Sequence, residues 1–158
     1  DWYRSRGLGD VYKRQFWTIT IMRDFMAKTF SYKTRIYYED TDAGGIVYYA
    51  NYLKYFERAR TEWIYALGFD HNKLDKSDIL IVVRSCNIDY EKSVKFEEEI
   101  EVVSELSKIS PVRINLIQSV QVNKEIRVKA NVELAIVDRA GKPKKMPEDL
   151  YKSFKSCI

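Results

Sequence analysis

One helical periodicity standing among five strand patterns limits what this chain can fold into. Leu53, Phe56, Arg60, Trp63, Ile64 and Leu67 recur at the spacing of one helix face, and no other stretch supports a long helix. Asn51 reads as its N-cap and Gly68 as its stop. Before it, Phe30 to Ile36 alternates apolar and polar residues as a strand does. After it come four more strand patterns, roughly Ile79–Tyr90, Glu99–Ile109, Val112–Val122 and Ile126–Asp138. The last two alternate cleanly, with Pro111 and Asn123-Lys124 marking turns. A lone helix has no helical partner for its apolar stripe, so it must lie on a sheet. The order predicts an α+β fold in which an antiparallel sheet wraps around one buried helix. It also leaves open strand edges, which makes edge-to-edge pairing of two chains an expectation.

Composition bounds the partners. The chain has 158 residues, 46% hydrophobic and 32% charged, which suits one domain with a real core. No apolar run approaches the ~20 residues of a membrane helix. Of the formal net charge of +4, +3 falls in residues 1–28, so the rest offers no basic field for nucleic acid. That first segment shows no clear periodicity, and FWTITIM is too short for a secretory signal. Met22 and Met26 stand just before the patterned region, so residues 1–28 read as a disordered or non-native leader. A genuine extra strand from Phe16 to Ile21 is the competing reading. The domain is expected over 29–145, followed by a polar tail, 146–158, with one apolar cluster at Leu150-Tyr151.

Three residues matter by exclusion. Cys86 falls in an apolar strand pattern and reads as a buried, inert thiol; Cys157 reads as part of a frayed tail. Neither has metal-ligand spacing, and two cysteines without a framework suit a reducing cytoplasm. His71, in the polar run FDHNKLDKSD, reads as a solvated loop histidine. Catalysis by this chain must then rest on carboxylates rather than on an imidazole triad or a zinc site.

The carboxylates concentrate in YEDTDAGGIVYYANY, Tyr38 to Tyr52. Glu39, Asp40 and Asp42 precede Gly44-Gly45, the apolar pair Ile46-Val47 follows, and the helix pattern then begins. Unpaired N–H groups at a helix start stabilise developing negative charge, and glycine permits close backbone approach. A carboxylate beside such donors suits attack on a carbonyl. Duller roles stand beside this one. Asp42 could cap a turn, and Glu39 and Asp40 could be turn or solvated acids. Tyr48, Tyr49, Tyr52, Tyr55 and Phe56 could serve packing, and Glu97 to Glu99 a solvated hairpin.

These residues carry a resemblance. YYEDTDAGGIVYYANYLKYFERARTEW, Tyr37 to Trp63, resembles the opening of the hotdog-fold acyl-CoA thioesterases, in the group of 4-hydroxybenzoyl-CoA thioesterase and the Tol-Pal-associated bacterial thioesterases. The likeness continues through VVRSCNIDYEKSVKFEEEIEV, Val82 to Val102, and covers about residues 30 to 145. It implies a hotdog fold: a five-stranded antiparallel sheet around the helix. It further implies dimers or tetramers with active sites at subunit interfaces, acyl-CoA or acyl-carrier-protein thioesters as substrates, and no metal or organic cofactor. Asp42 takes the place of the catalytic aspartate, as nucleophile or general base, and the backbone N–H of Tyr49 that of the oxyanion donor. Tyr38, Gly45, Val47 and Tyr48 fall at substrate-binding positions, and Lys108 and Arg113 lie where relatives run along bound coenzyme A.

Two departures stand out. Tyr49 replaces the histidine usual there, and Ser93-Val94 and Glu97-Glu98 replace a proline and paired aspartates, as surface adjustments. A hotdog dehydratase would need a histidine working with an acid, and His71 is in the wrong element. The other rival is a non-catalytic module docking acyl carrier protein or an envelope complex. The chemistry itself asks little, because a thiolate leaves readily and each oxyanion donor can be worth ~3 kcal/mol.

Overall fold

In the computed structural model, residues 29–157 are described; the leader, with the Phe16 to Ile21 strand reading, lies outside them. The elements are β1 (Thr29–Arg35), α1 (Tyr52–Ala66), α2 (His71–Lys76), β2 (Leu80–Tyr90), β3 (Glu99–Ser110), β4 (Arg113–Val122), β5 (Glu125–Val137) and α3 (Glu148–Lys155). The strands form one antiparallel sheet in the order β1-β3-β4-β5-β2, the five-strand, one-long-helix architecture the sequence led to. Asn123 and Lys124 turn the β4–β5 hairpin with φ of 49° and 66°. Two successive left-handed residues match the twist of the flanking strands.

Alternation does the folding work. On β3, β4 and β5 every second side chain is buried, among them Val102, Val120, Val128 and Ala130. Against that face α1 lays Tyr52, Tyr55, Phe56, Ala59 and Trp63. Burying each large apolar side chain is worth about 1.5–3 kcal/mol. Two fully buried polar residues, Gln118 and Ser104, sit among them. Gln118 is fully buried on β4, accepts a hydrogen bond from Arg60 Nη1 at 2.9 Å, and donates to Ser104 Oγ at 2.8 Å and the Phe56 carbonyl at 3.2 Å. An unmet buried amide is costly, so this set pins α1 at one position over the sheet.

Several sequence expectations are corrected. Asn51 does hold the N-cap position of α1, as expected, but its side chain makes no capping bond and it belongs to a 3₁₀ turn, Tyr49–Asn51, that leads into the helix. His71 opens the short helix α2 rather than lying in a loop, although its side chain is exposed. The cysteines exchange roles. Cys86 is exposed because β2 is an edge strand that α1 does not cover, and Cys157 is buried. Burial raises the pKa of the Cys157 thiol. The tail is not a frayed end. Helix α3 buries Leu150 and Phe154, and Phe154 meets Trp63 edge-on, while Trp63 stacks on Phe30. Among the described residues no helix is long and apolar enough to cross a membrane.

Replacement of Leu150, which is fully buried, by alanine should lower unfolding free energy by about 2–5 kcal/mol. Urea denaturation measures this, and a loss below ~0.5 kcal/mol would show the tail to be dispensable.

Candidate active site

The acidic motif folds into a miniature hairpin. Asp42 N–H donates to the Ile46 carbonyl at 2.9 Å, Tyr48 N–H to the Asp40 carbonyl at 2.9 Å, and Thr41 bridges Val47. Gly45 turns the tip at φ 73°, a conformation that disfavours any side chain. The hairpin is stitched to the β2–β3 connection: Val47 N–H donates to the Val94 carbonyl at 2.8 Å, and Phe96 N–H to the Gly45 carbonyl at 3.2 Å. Val94 is fully buried, so it is not a surface adjustment, whereas Ser93 is exposed. The Val94 carbonyl holds the returning arm of the hairpin.

Asp42 stands at the hairpin tip and is exposed. Its Oδ1 accepts the Gly44 N–H at 2.8 Å, the Asx cap that is the duller of its two roles. Oδ2 has no partner among the described residues. One oxygen is thus anchored and the other free, which orients a carboxylate without using it up.

The helix start supplies the complementary donors. Asn51 N–H donates to the Tyr48 carbonyl at 2.9 Å, whereas the N–H groups of Tyr49 and Ala50 meet no acceptor among the described residues. A trans peptide points its N–H and C=O in opposite directions. Holding the Tyr48 carbonyl inside the 3₁₀ turn therefore aims the Tyr49 N–H out of it. The Tyr49 side chain is 62% exposed and sits between Tyr48 and Tyr90. The unpaired Tyr49 N–H is a backbone group, so its availability does not depend on which side chain stands at position 49.

Asp40 behaves unlike its sequence reading. It is buried, not solvated. Its Oδ2 accepts the Tyr37 N–H at 2.9 Å, and its carbonyl receives both the Tyr48 N–H and Asn51 Nδ2, the latter at 2.8 Å. The same carbonyl thereby fastens the hairpin to the helix start. The Tyr55 hydroxyl is buried and has no hydrogen bond of ordinary geometry. Burial first, and the Asp40 carboxylate second, push the Tyr55 phenol upward. No sequence signal distinguished Asp40 from its acidic neighbours; only the approach of Asn51, eleven residues on, reveals it.

The other site residues divide. Gly45 and Val47 belong to the hairpin, Val47 as a buried side chain. Tyr38 is 80% exposed beside the hairpin and meets Phe96 edge-on. Tyr48 is exposed at the helix start. Lys108 and Arg113 lie elsewhere. They stand near the β3–β4 turn, the opposite end of β3 from Glu99, about 36 Å along a twelve-residue strand. Arg113 faces Glu133, which also pairs with Arg84. A groove of about 770 Å³ runs along the β1–β3 edge, lined by Lys33, Arg35, Tyr37, Glu99, Gln121 and Lys124 among others; neither Asp42 nor Tyr49 lines it. The single chain brings acid and donor onto one support but does not wall them in.

Comparison with known proteins decides the kinship. A model of the thioesterase-like superfamily matches residues 37–154. The chain belongs to the thioesterase-like superfamily. It is 39% identical over 127 residues to the acyl-CoA thioesterase YbgC of Haemophilus influenzae, covering 79% of this chain and 93% of that one. A probable thioesterase from Bartonella henselae superposes with a TM-score of 0.72 at 28% identity, over 75% of this chain and 99% of the other. A DHNA-CoA thioesterase from Staphylococcus aureus gives 0.75 at 26%, over 80% and 89%. The fold is the hotdog fold. The superfamily match runs through Phe154, so it reaches into α3.

Replacement of Gly45 by alanine should cost about 1 kcal/mol, because the left-handed φ and not a clash penalises the added Cβ. Thermal unfolding measures it; an unchanged or raised Tm would show that the tip relaxes freely.

Proposed function

We propose that this protein hydrolyses acyl-CoA thioesters to a free acid and coenzyme A, with Asp42 and the Tyr49 N–H as the reacting pair. One observation carries the reading: a half-free carboxylate on the hairpin and an unpaired N–H on the 3₁₀ turn are joined through the Asp40 carbonyl in a chain of the thioesterase superfamily. The thioester carbonyl oxygen lodges on the Tyr49 N–H, with Ala50 N–H as a second donor. Negative charge growing on that oxygen meets donors already aimed and costs no reorganisation. Asp42 either attacks the carbonyl carbon, giving an anhydride that water opens, or removes a proton from the water that attacks. In both routes the carbon–sulfur bond breaks, the thiolate leaves, and water supplies the proton and the hydroxyl. Acyl-carrier-protein thioesters present the same carbonyl and phosphopantetheine arm and are a second substrate class.

The site is completed by a second copy. Strand β2 lies at the sheet edge with Leu80, Val82, Val83 and Tyr90 between 38% and 50% exposed. Such an edge asks for another strand. Antiparallel pairing of two β2 strands places Tyr90 of one chain near Leu80 of the other. Leu80 shares its end of the sheet with Arg113 and Lys108 through β5 and β4. At about 4.8 Å per strand, Arg113 of the partner subunit then lies about 15 Å across from Tyr90, and Lys108 of the partner subunit about 19 Å. Those are the separations of a phosphate-bearing tail from its reacting carbonyl, and both cations suit phosphate. Two residues remote in one chain are thereby brought to the same end of the paired sheet as the site, with Arg113 on the face opposite α1, since its neighbour Ile114 is the buried one.

Asp42→Asn should abolish thiol release from short aliphatic, long aliphatic and aromatic acyl-CoA alike while leaving the fold and acyl-CoA binding intact. Wild-type-like turnover in that variant removes Asp42 from the mechanism. Binding without turnover by the natural chain, across the whole panel, marks a docking module instead. Arg113→Ala should raise KM for acyl-CoA about tenfold, the value of one charge-assisted hydrogen bond. It should leave a pantetheine thioester lacking the nucleotide unchanged; equal effects on both substrates would refute the cross-chain phosphate contact.

A further inference from the structure

Tyr90 is the one residue of the edge strand β2 that bonds to the helix-start turn: its hydroxyl donates to the Tyr49 carbonyl at 3.0 Å. It pairs in the sheet with the fully buried Val128, so its ring rises on the helix side. There it packs edge-on against Tyr49 at 6.3 Å and Tyr52 at 5.6 Å. The hydrogen bond falls at an informative place. Three successive peptide groups make up the turn. The one before the donor is held by Tyr48 N–H on the Asp40 carbonyl. The one after it carries the Tyr49 carbonyl that Tyr90 holds. The peptide between them carries the free Tyr49 N–H, and its own carbonyl is taken by the Asn51 N–H. With both neighbours held from outside the turn, the middle plane cannot rotate without breaking a bond.

We propose that Tyr90 is a positioning residue for the Tyr49 amide: its hydroxyl fixes the plane from which the oxyanion donor projects. This rests on the reading of Asp42 and Tyr49 as the reacting pair. Tyr90 touches no reacting atom in this role; it acts through the Tyr49 carbonyl. Because it belongs to the uncovered edge strand, the same hydroxyl links the edge at which two chains pair to the chemistry of each. Loss of the bond leaves the donor present but free to swing. That penalises the transition state, where the oxygen bears charge and needs an aimed N–H, more than the ground state.

The test is Tyr90→Phe in the full chain, assayed by thiol release on the acyl-CoA from the panel that wild type turns over fastest. The ring contacts with Tyr49 and Tyr52 are retained, and Tyr90 is 48% exposed, so no cavity forms. The expected result is a fall in kcat of about fivefold, the worth of one neutral hydrogen bond, with KM and Tm unchanged. Asn51→Ala, which removes the side-chain bond to the Asp40 carbonyl on which the Tyr48 N–H rests, should lower kcat as well, and the double variant should lose less than the product of the two. An unchanged kcat in Tyr90→Phe, with Asp42→Asn inactive, overturns the positioning role and leaves the site reading standing. A raised KM at constant kcat overturns it in favour of direct substrate contact. Full activity in Asp42→Asn brings down both.

Discussion

One long helix covers most of the apolar face of a five-stranded sheet, and the placing of the candidate site follows from how it is seated. Apolar burial alone would let α1 slide along its axis, because one ring or methyl can replace another at little cost. The buried Gln118 removes that freedom. Its amide reaches the Phe56 carbonyl and Arg60 on the helix and Ser104 on β3 at once. Sliding the helix strands a buried polar group, and that asymmetry between a met and an unmet hydrogen bond sets the register.

The hairpin that carries the acid is seated on the same helix start. The Asp40 carbonyl receives the Tyr48 N–H and the Asn51 side chain, so the acid-bearing loop and the donor-bearing turn are one body. Such a construction suits a thioester. The leaving thiolate needs little help, so an aimed backbone donor and one oriented carboxylate can suffice without imidazole. On the proposed mechanism the side chain at position 49 takes no part in the chemistry. A backbone donor belongs to the turn, and the side chain at that position is free to serve packing with Tyr48 and Tyr90.

Periodicity made the strands and α1 legible, because each runs long enough for its repeat to be read. The DTD–GG element was legible as a motif, since only a tight turn needs acids and glycines at that spacing. Other parts left no local trace. The tail looked polar because α3 is only eight residues long and presents just Leu150 and Phe154 to the core. Asp40 and Val94 looked like surface residues because their burial comes from segments far along the chain. Cys86 looked buried because an apolar strand reads the same at an edge as at the centre of a sheet; its neighbours, not its own residues, decide the matter.

The sequence by itself determined the five strands and the one long helix, their order, the tight turn and the candidate residues for chemistry. These depend on backbone preference and side-chain repeat, which act over a few positions. Only the tertiary structure decided which strand is left uncovered at the edge, which acid is clamped and which is free, and that the Tyr49 amide has no internal acceptor. Those outcomes depend on groups separated by tens of residues meeting in space, where hydrogen-bond satisfaction and burial are settled jointly rather than residue by residue.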